Sequence, residues 1–187
     1  MFFNFIIYQK TMMNFFLTCM RYIFFISIIL LNFGCVSNNG DIYKGKKDSG
    51  RIENFDPIEI RKRHLDYLNA LRQERGLENL KISNSLNSSA ATHARDIFKQ
   101  QRAWNFGSDG SSPQKRAEIS GFKGIVTGEN VSETYEGEFL VLQVWLQNSF
   151  SRNVLLNKES THLGLGWYQQ SSGKIWWVQV LGIKNNN

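Results

Sequence analysis

The chain holds two cysteines, Cys19 and Cys35, and both fall at its front. The remaining residues therefore have no disulfide framework and no thiolate chemistry. Acidic residues are missing from residues 1–34, whose only basic residues are Lys10 and Arg21. The apolar run Tyr22–Leu31 is broken only by Ser27 and covers ten residues. A spanning helix needs about 20 apolar residues, so this run is too short to cross a bilayer comfortably. It fits the apolar region of a secretory signal, with Arg21 as its positive flank. Strong charge is also missing. Without residues 1–34 the chain carries 20 basic and 16 acidic residues, a net charge of +4. That permits weak attraction to anionic surfaces but does not indicate nucleic acid, and no basic stripe with interleaved aromatics appears.

The apolar run ends in Leu31-Asn32-Phe33-Gly34-Cys35, which looks like a loose bacterial lipobox, with Phe33 where a small residue is usual. The expectation is a signal peptide over 1–34, cleavage before Cys35, and a lipidated cysteine holding the protein on a membrane. Each buried lipid CH2 contributes about 0.8 kcal/mol. The polar stretch 36–54 cannot bury a core and reads as a tether to a domain spanning 56–184.

Asp56-Pro57-Ile58-Glu59 opens that domain as an N-cap, a first-turn proline and a capping-box glutamate. Ile60, Tyr67, Leu68 and Leu71 recur at helical spacing, and Gly76 supplies a stop. A second helix is expected from Ser85 to Gln101, a short third from Pro113 to Gly121, and a fourth from Gly137 to Asn148 with Phe139, Leu140, Val144 and Trp145 inward. The period then changes. Leu163–Tyr168 and Lys174–Leu181 read as a hairpin joined by Gln-Gln-Ser-Ser-Gly, and Ile125 with Val126 adds a strand. Helices first and strands later imply an α+β fold.

The order of short fragments is distinctive. Leu68-Asn69 and Arg72 are followed by Gly76-Leu77, His93-Ala94, Gly107-Ser-Asp-Gly-Ser-Ser-Pro and Arg116. Gly128-Glu129-Asn130, Trp145, Ser151-Arg152, Leu163-Gly-Leu-Gly and Trp176-Trp-Val-Gln complete the set. Over residues 56–183 it resembles the CAP superfamily, named for cysteine-rich secretory proteins, antigen 5 and pathogenesis-related proteins, in its bacterial, disulfide-free branch. The resemblance implies an α-β-α sandwich with a small central antiparallel sheet, a secreted location, and a cleft that often holds a metal between two histidines and acidic partners. The first histidine position is Asn105, the acidic residue is Glu129, and the second histidine position is Ser151, beside Arg152. Asn and Ser are poor zinc ligands, being weak neutral oxygen donors where imidazole offers a nitrogen lone pair. No cofactor is expected, and zinc is disfavoured.

Three histidines remain. His64 and His93 read as packed helix residues, since neither has a ligand spacing. His162 stands eleven residues after Ser151, either as a strand-edge residue or as a partial replacement for a lost ligand. Ser151 has no Gly-x-Ser-x-Gly elbow to make it a nucleophile. Glu129 reads either as a general acid or base or as a buried structural carboxylate. The Gly107–Ser112 loop lacks a Gly-Lys-[Ser/Thr] ending and is no phosphate loop. The expectation is thus an envelope protein, lipid-anchored or secreted. It would bind an apolar, peptide or cell-wall ligand without catalysis through Asn105, Glu129, Ser151, Arg152 and His162. The alternative is a metal-assisted hydrolase with an altered ligand set.

Overall fold

The computed structural model describes residues 52, 55–133 and 137–185. The signal, the Cys35 lipidation site and most of the tether lie outside the described residues. No helix among the described residues is long and apolar enough to cross a membrane.

Among the described residues, five helices and four strands come in the order α1 Pro57–Gln73, β1 Lys81–Ile82, α2 Asn84–Gln100, α3 Pro113–Ile119, β2 Gly124–Glu133, α4 Glu138–Gln147, α5 Ser149–Leu155, β3 His162–Gln169 and β4 Ile175–Lys184. The caps have their cause in the sequence. Asp56 accepts a hydrogen bond from the Ile58 N–H, Ser83 from Leu86 and Ser112 from Lys115, and prolines stand in the first turns of α1 and α3.

The sheet order is β1-β3-β4-β2. β4 pairs antiparallel with both neighbours, while β1 pairs parallel with β3. The sheet is therefore mixed, not purely antiparallel as expected. Two residues of β1 suffice for this, because the chain passes through α2, α3 and α4 before β3 returns beside it. Two further elements lay hidden in the sequence. α5 occupies part of the stretch between Asn148 and Leu163 to which the sequence assigned no element, and β2 extends well beyond Ile125 and Val126.

Side chains alternate along β4 and supply two cores. Ile175, Trp177 and Leu181 face α1, α4 and α5, where Ile60, Leu68, Val141, Leu142, Trp145 and Leu155 are buried. Trp176, Val178 and Val180 face α2 and α3, where Leu86, Ala90, Ala94, Ile97 and Ala117 are buried. Trp176 and Trp177 thus fall on opposite faces, as the alternation predicts. α4 is rotated from its expected setting. Val141, Leu142 and Trp145 are buried, whereas Leu140 is 50% exposed. α2 sits directly on β3: a Cβ built at Gly164 or Gly166 would overlap the backbone of Leu86–Asn87 or Ala90–Ala91.

α1 buries Ile60, His64, Leu68 and Arg72, one residue every fourth position. Two of the four are polar, and each is satisfied. Arg72 donates to the carbonyls of Glu78 at 3.0 Å, Leu155 at 2.8 Å and Asn157 at 3.0 Å, tying the end of α1 to the segment after α5. His64 Nδ1 lies 3.3 Å from the Glu138 carbonyl, and its Nε2 lies 2.7 Å from the Gln179 amide nitrogen. That pair of partners suits a neutral ring with the proton on Nδ1. Burial pushes His64 down to about 4, against the backbone bond that raises it.

Substitutions at Gly166 and His64 test this packing. Gly166→Ala forces α2 off β3 and destabilises by about 1–3 kcal/mol, read by chemical denaturation. His64 is neutral in the fold but charged in the unfolded chain between its folded value of about 4 and its ordinary 6.5. Its contribution of about 3 kcal/mol is present above that window and lost as pH falls through it. Denaturation between pH 7 and 4 should show a shallower loss of stability in His64→Gln than in the natural chain.

Candidate functional site

Adjacent strand residues point to opposite faces. Glu129 and Asn130 in β2 therefore reach into different halves of the sandwich, and each organises a polar cluster there.

Glu129 faces α2 and α3. Arg116 Nη2 lies 2.8 Å from Oε1 and 3.0 Å from Oε2, and Asn105 Nδ2 donates to Oε1 and to the Glu129 carbonyl, each at 3.1 Å. Arg116 also donates to the Ser111 carbonyl at 2.6 Å and the Asn105 carbonyl at 3.1 Å. One guanidinium thus joins α3, β2 and both ends of the 105–111 loop. Burial pushes the Glu129 carboxyl upward, and the Arg116 charge and the Asn105 amide pull it back. His93 Nε2 lies 2.9 Å from the Trp104 carbonyl, which can only accept, so Nε2 carries the proton. Burial, and then the Arg116 charge, push His93 down to about 4, so its 3.6 Å approach to Glu129 Oε1 is no ion pair at neutral pH. A cavity of about 400 Å³ opens beside this cluster, between α2, α3 and the loop, lined by His93, Asp96, Ser108 and Arg116 among others.

The segment bearing Asn105 is built from local contacts. Trp104 donates to Gln100 Oε1 at 2.8 Å, takes the Arg102 guanidinium over its ring at 4.0 Å and packs against Phe106. Ser108 N and Oγ bond the Asp96 carboxylate at 2.8 and 2.6 Å, pinning the glycine-serine loop to α2.

Asn130 faces α1, α4 and α5. Its amide donates to the Ser151 carbonyl at 3.1 Å and to Gln179 Oε1 at 3.3 Å, and Gln179 continues to His64. Ser151 sits in the first turn of α5, where its N–H bonds the cap residue Asn148 at 3.0 Å. Arg152 donates to the Leu146 carbonyl at 3.2 Å, closing the end of α4.

The open edge of β2 lies between the two clusters. Gln114 bonds the Gly124 carbonyl and the Val126 N–H, Asn105 the Glu129 carbonyl, and Trp145 Nε1 the Val131 carbonyl at 3.4 Å. Asn105 and Ser151 thus flank this edge from opposite faces, and each has an exposed neighbour: Phe106 is 57% exposed and Phe150 82%.

The expected site residues are therefore brought together in part. Asn105 and Glu129 touch, and Ser151 and Arg152 lie across the β2 edge. His162 does not join them. It opens β3, with β4 between it and β2, about 10 Å of sheet. Its ring bonds Thr161 instead, at 2.9 Å. Both Glu129 oxygens are engaged, and among the described residues no histidine is bonded to Ser151. Among the described residues no three His, Cys, Asp or Glu side chains gather as a metal site. Sequence reasoning missed Arg116, His93 and Gln179 as builders of the site, because a buried pair shows no signal until its partner is known.

Arg116→Gln leaves the Glu129 charge buried and unpaired, at a cost of about 3–5 kcal/mol. Without the guanidinium the carboxyl rises further, so the folded variant holds a proton the unfolded chain has released. Its deficit in denaturation should then grow as pH rises from the ordinary carboxylate range towards neutrality.

Residues 65–181 match the cysteine-rich secretory protein family, CAP. Two proteins of Bacillus subtilis are similar in sequence. The uncharacterized protein YkwD is 28% identical over 121 residues, covering 65% of this chain and 46% of YkwD. The uncharacterized membrane protein YlbC is 28% identical over 119 residues, covering 62% and 34%. The chain thus spans less than half the length of either. Among solved structures, an outer surface protein from Borrelia burgdorferi aligns over 70% of this chain and 97% of its own, with a TM-score of 0.62 and 18% identity. An extracellular protein containing an SCP domain from Bacillus anthracis aligns over 70% and 44%, with a TM-score of 0.59 and 22% identity. Both likenesses are of fold. Sequence match and architecture agree, and the chain belongs to the cysteine-rich secretory protein (CAP) family.

Proposed function

We propose that this CAP-domain chain is an exported envelope protein that acts as a non-catalytic binding module. Its binding surface is the cleft around Asn105, Glu129, Ser151 and Arg152. The observation that carries this reading is the engagement of Glu129. Arg116 and Asn105 hydrogen-bond both carboxylate oxygens, so Glu129 is held as an anchor and not poised as a base. The two positions where the family resemblance implies histidines hold an amide that donates to Glu129 and a serine. An amide and a hydroxyl are poor zinc donors, which supports binding over metal-assisted hydrolysis. The exposed rings of Phe106 and Phe150 beside Asn105 and Ser151 favour a ligand with apolar groups, such as a lipid-like, peptide or cell-wall fragment. Export through the 1–34 signal and lipidation at Cys35 would hold the module at the envelope. The words "membrane", "extracellular" and "outer surface" in the names of YlbC and the two aligned structures accord with that.

Zinc titration calorimetry on the natural chain beside an Asn105→His/Ser151→His variant tests the reading. The natural chain should give no zinc heat, and the double variant should gain a site. One tight zinc site in the natural chain would restore the metal-assisted hydrolase.

A further inference from the structure

The sequence carries no basic stripe, but the sheet assembles a basic patch from distant parts of the chain. Lys81 stands opposite His162 in the parallel β1–β3 pair. His162 stands opposite Gly182 in the β3–β4 pair, and Lys184 comes two residues later. Register partners share a face, as do residues two apart on a strand, so Lys81, His162 and Lys184 all project from one face of three adjacent strands. Lys123 reaches the same end of the sheet, where its carbonyl accepts from the Asn185 N–H at 3.0 Å. None of these lysines forms an ion pair with a carboxylate among the described residues, although Lys158, Lys174, Arg63 and Arg116 each do.

The patch is held firmly at its centre. Thr161 Oγ lies 2.9 Å from His162 Nδ1 and 3.1 Å from the Lys184 N–H, so a single hydroxyl fixes the imidazole and the backbone of Lys184 together. His162 Nε2 has no partner among the described residues. Burial, then the charges of Lys184 and Lys81, hold the imidazole below its ordinary value. Like charges converge here with no carboxylate paired to them among the described residues, and an anion would relieve that repulsion.

The chain enters the domain at the other end. The Ile52 N–H bonds Gln169 Oε1 at 2.9 Å, at the close of β3. His162 lies seven residues back along that strand, about 23 Å away. The basic end is thus set apart from the Gln169 end, where Ile52 joins β3.

We infer that Lys81, His162 and Lys184 form a binding surface for the phosphate groups of a soluble anionic polymer, separate from the cleft. Two ammonium groups flanking an imidazole on one face suit a phosphate, whose charge favours the protonated ring and whose oxygens then accept from all three donors. Lys123, at the same end, extends the contact along a chain of such groups. The surface stands whether or not the cleft binds its own ligand.

Long-chain polyphosphate is the probe, titrated against the full chain at low and physiological salt, beside vesicles rich in anionic lipid. Polyphosphate should bind more weakly as salt rises. Lys81→Gln/Lys184→Gln should weaken it at least tenfold, and Lys62→Gln/Lys99→Gln, with the same loss of charge on α1 and α2, less than threefold. The His162 ring provides a second reading by NMR, since its titration midpoint should move up when polyphosphate is added. Equal weakening in both double variants, an unmoved His162, or binding to vesicles but not to polyphosphate would each overturn the assignment.

Discussion

The contact between Arg116 and Glu129 draws three separate parts of the chain to one point. A short helix, an edge strand and a glycine-rich loop have little apolar surface of their own. The guanidinium reaches all three, with two carboxylate oxygens on one side and two loop carbonyls on the other. A buried pair of this kind contributes little net stability against a well-packed apolar replacement, because both ions lose their water. What it contributes is geometry. The carboxylate is fixed in place by the same contacts, at the position that the family resemblance marks.

The other half of the sandwich solves a similar problem without charge. Asn130, Gln179 and His64 pass hydrogen bonds from the start of α5 to α1 across the middle of the sheet. Each group is neutral and hydrogen-bonded, the condition under which buried polar groups are tolerated. The two clusters differ because neighbouring residues of one strand face opposite layers. Glu129 meets a cation, while Asn130 meets only amides, a ring and carbonyls.

Much of this was legible in the chain. Asp56-Pro57 and Ser112-Pro113 announce helix starts by their own chemistry, and the shift from a period near four to a period of two marks the hairpin. The alternation that splits Trp176 from Trp177 is equally local. What escaped depends on distance. β1 is strand only because β3 lies beside it, and α5 only because Asn148 caps it next to the β2 edge. α4 is apolar almost all round, so its pattern could not say that Leu140 would be outside and Val141 within. At the site, Asn105 and Glu129 could be matched to family positions, but Arg116 as their shared partner could not. His162 illustrates the opposite error: nearness to Ser151 in sequence did not survive the strand that separates them in space.

The caps along the outer edge of β2 have a further consequence. A bare strand edge invites the edge of another molecule, and repeated pairing of that kind leads to fibrils. Here an incoming strand would find the carbonyls of Gly124, Glu129 and Val131 already taken by Gln114, Asn105 and Trp145. A protein crowded on a surface would meet its own copies at high local concentration. Its longest exposed edge has been closed against them by three side chains, two of them amides, which leaves the domain free to stand in dense arrays without zipping together.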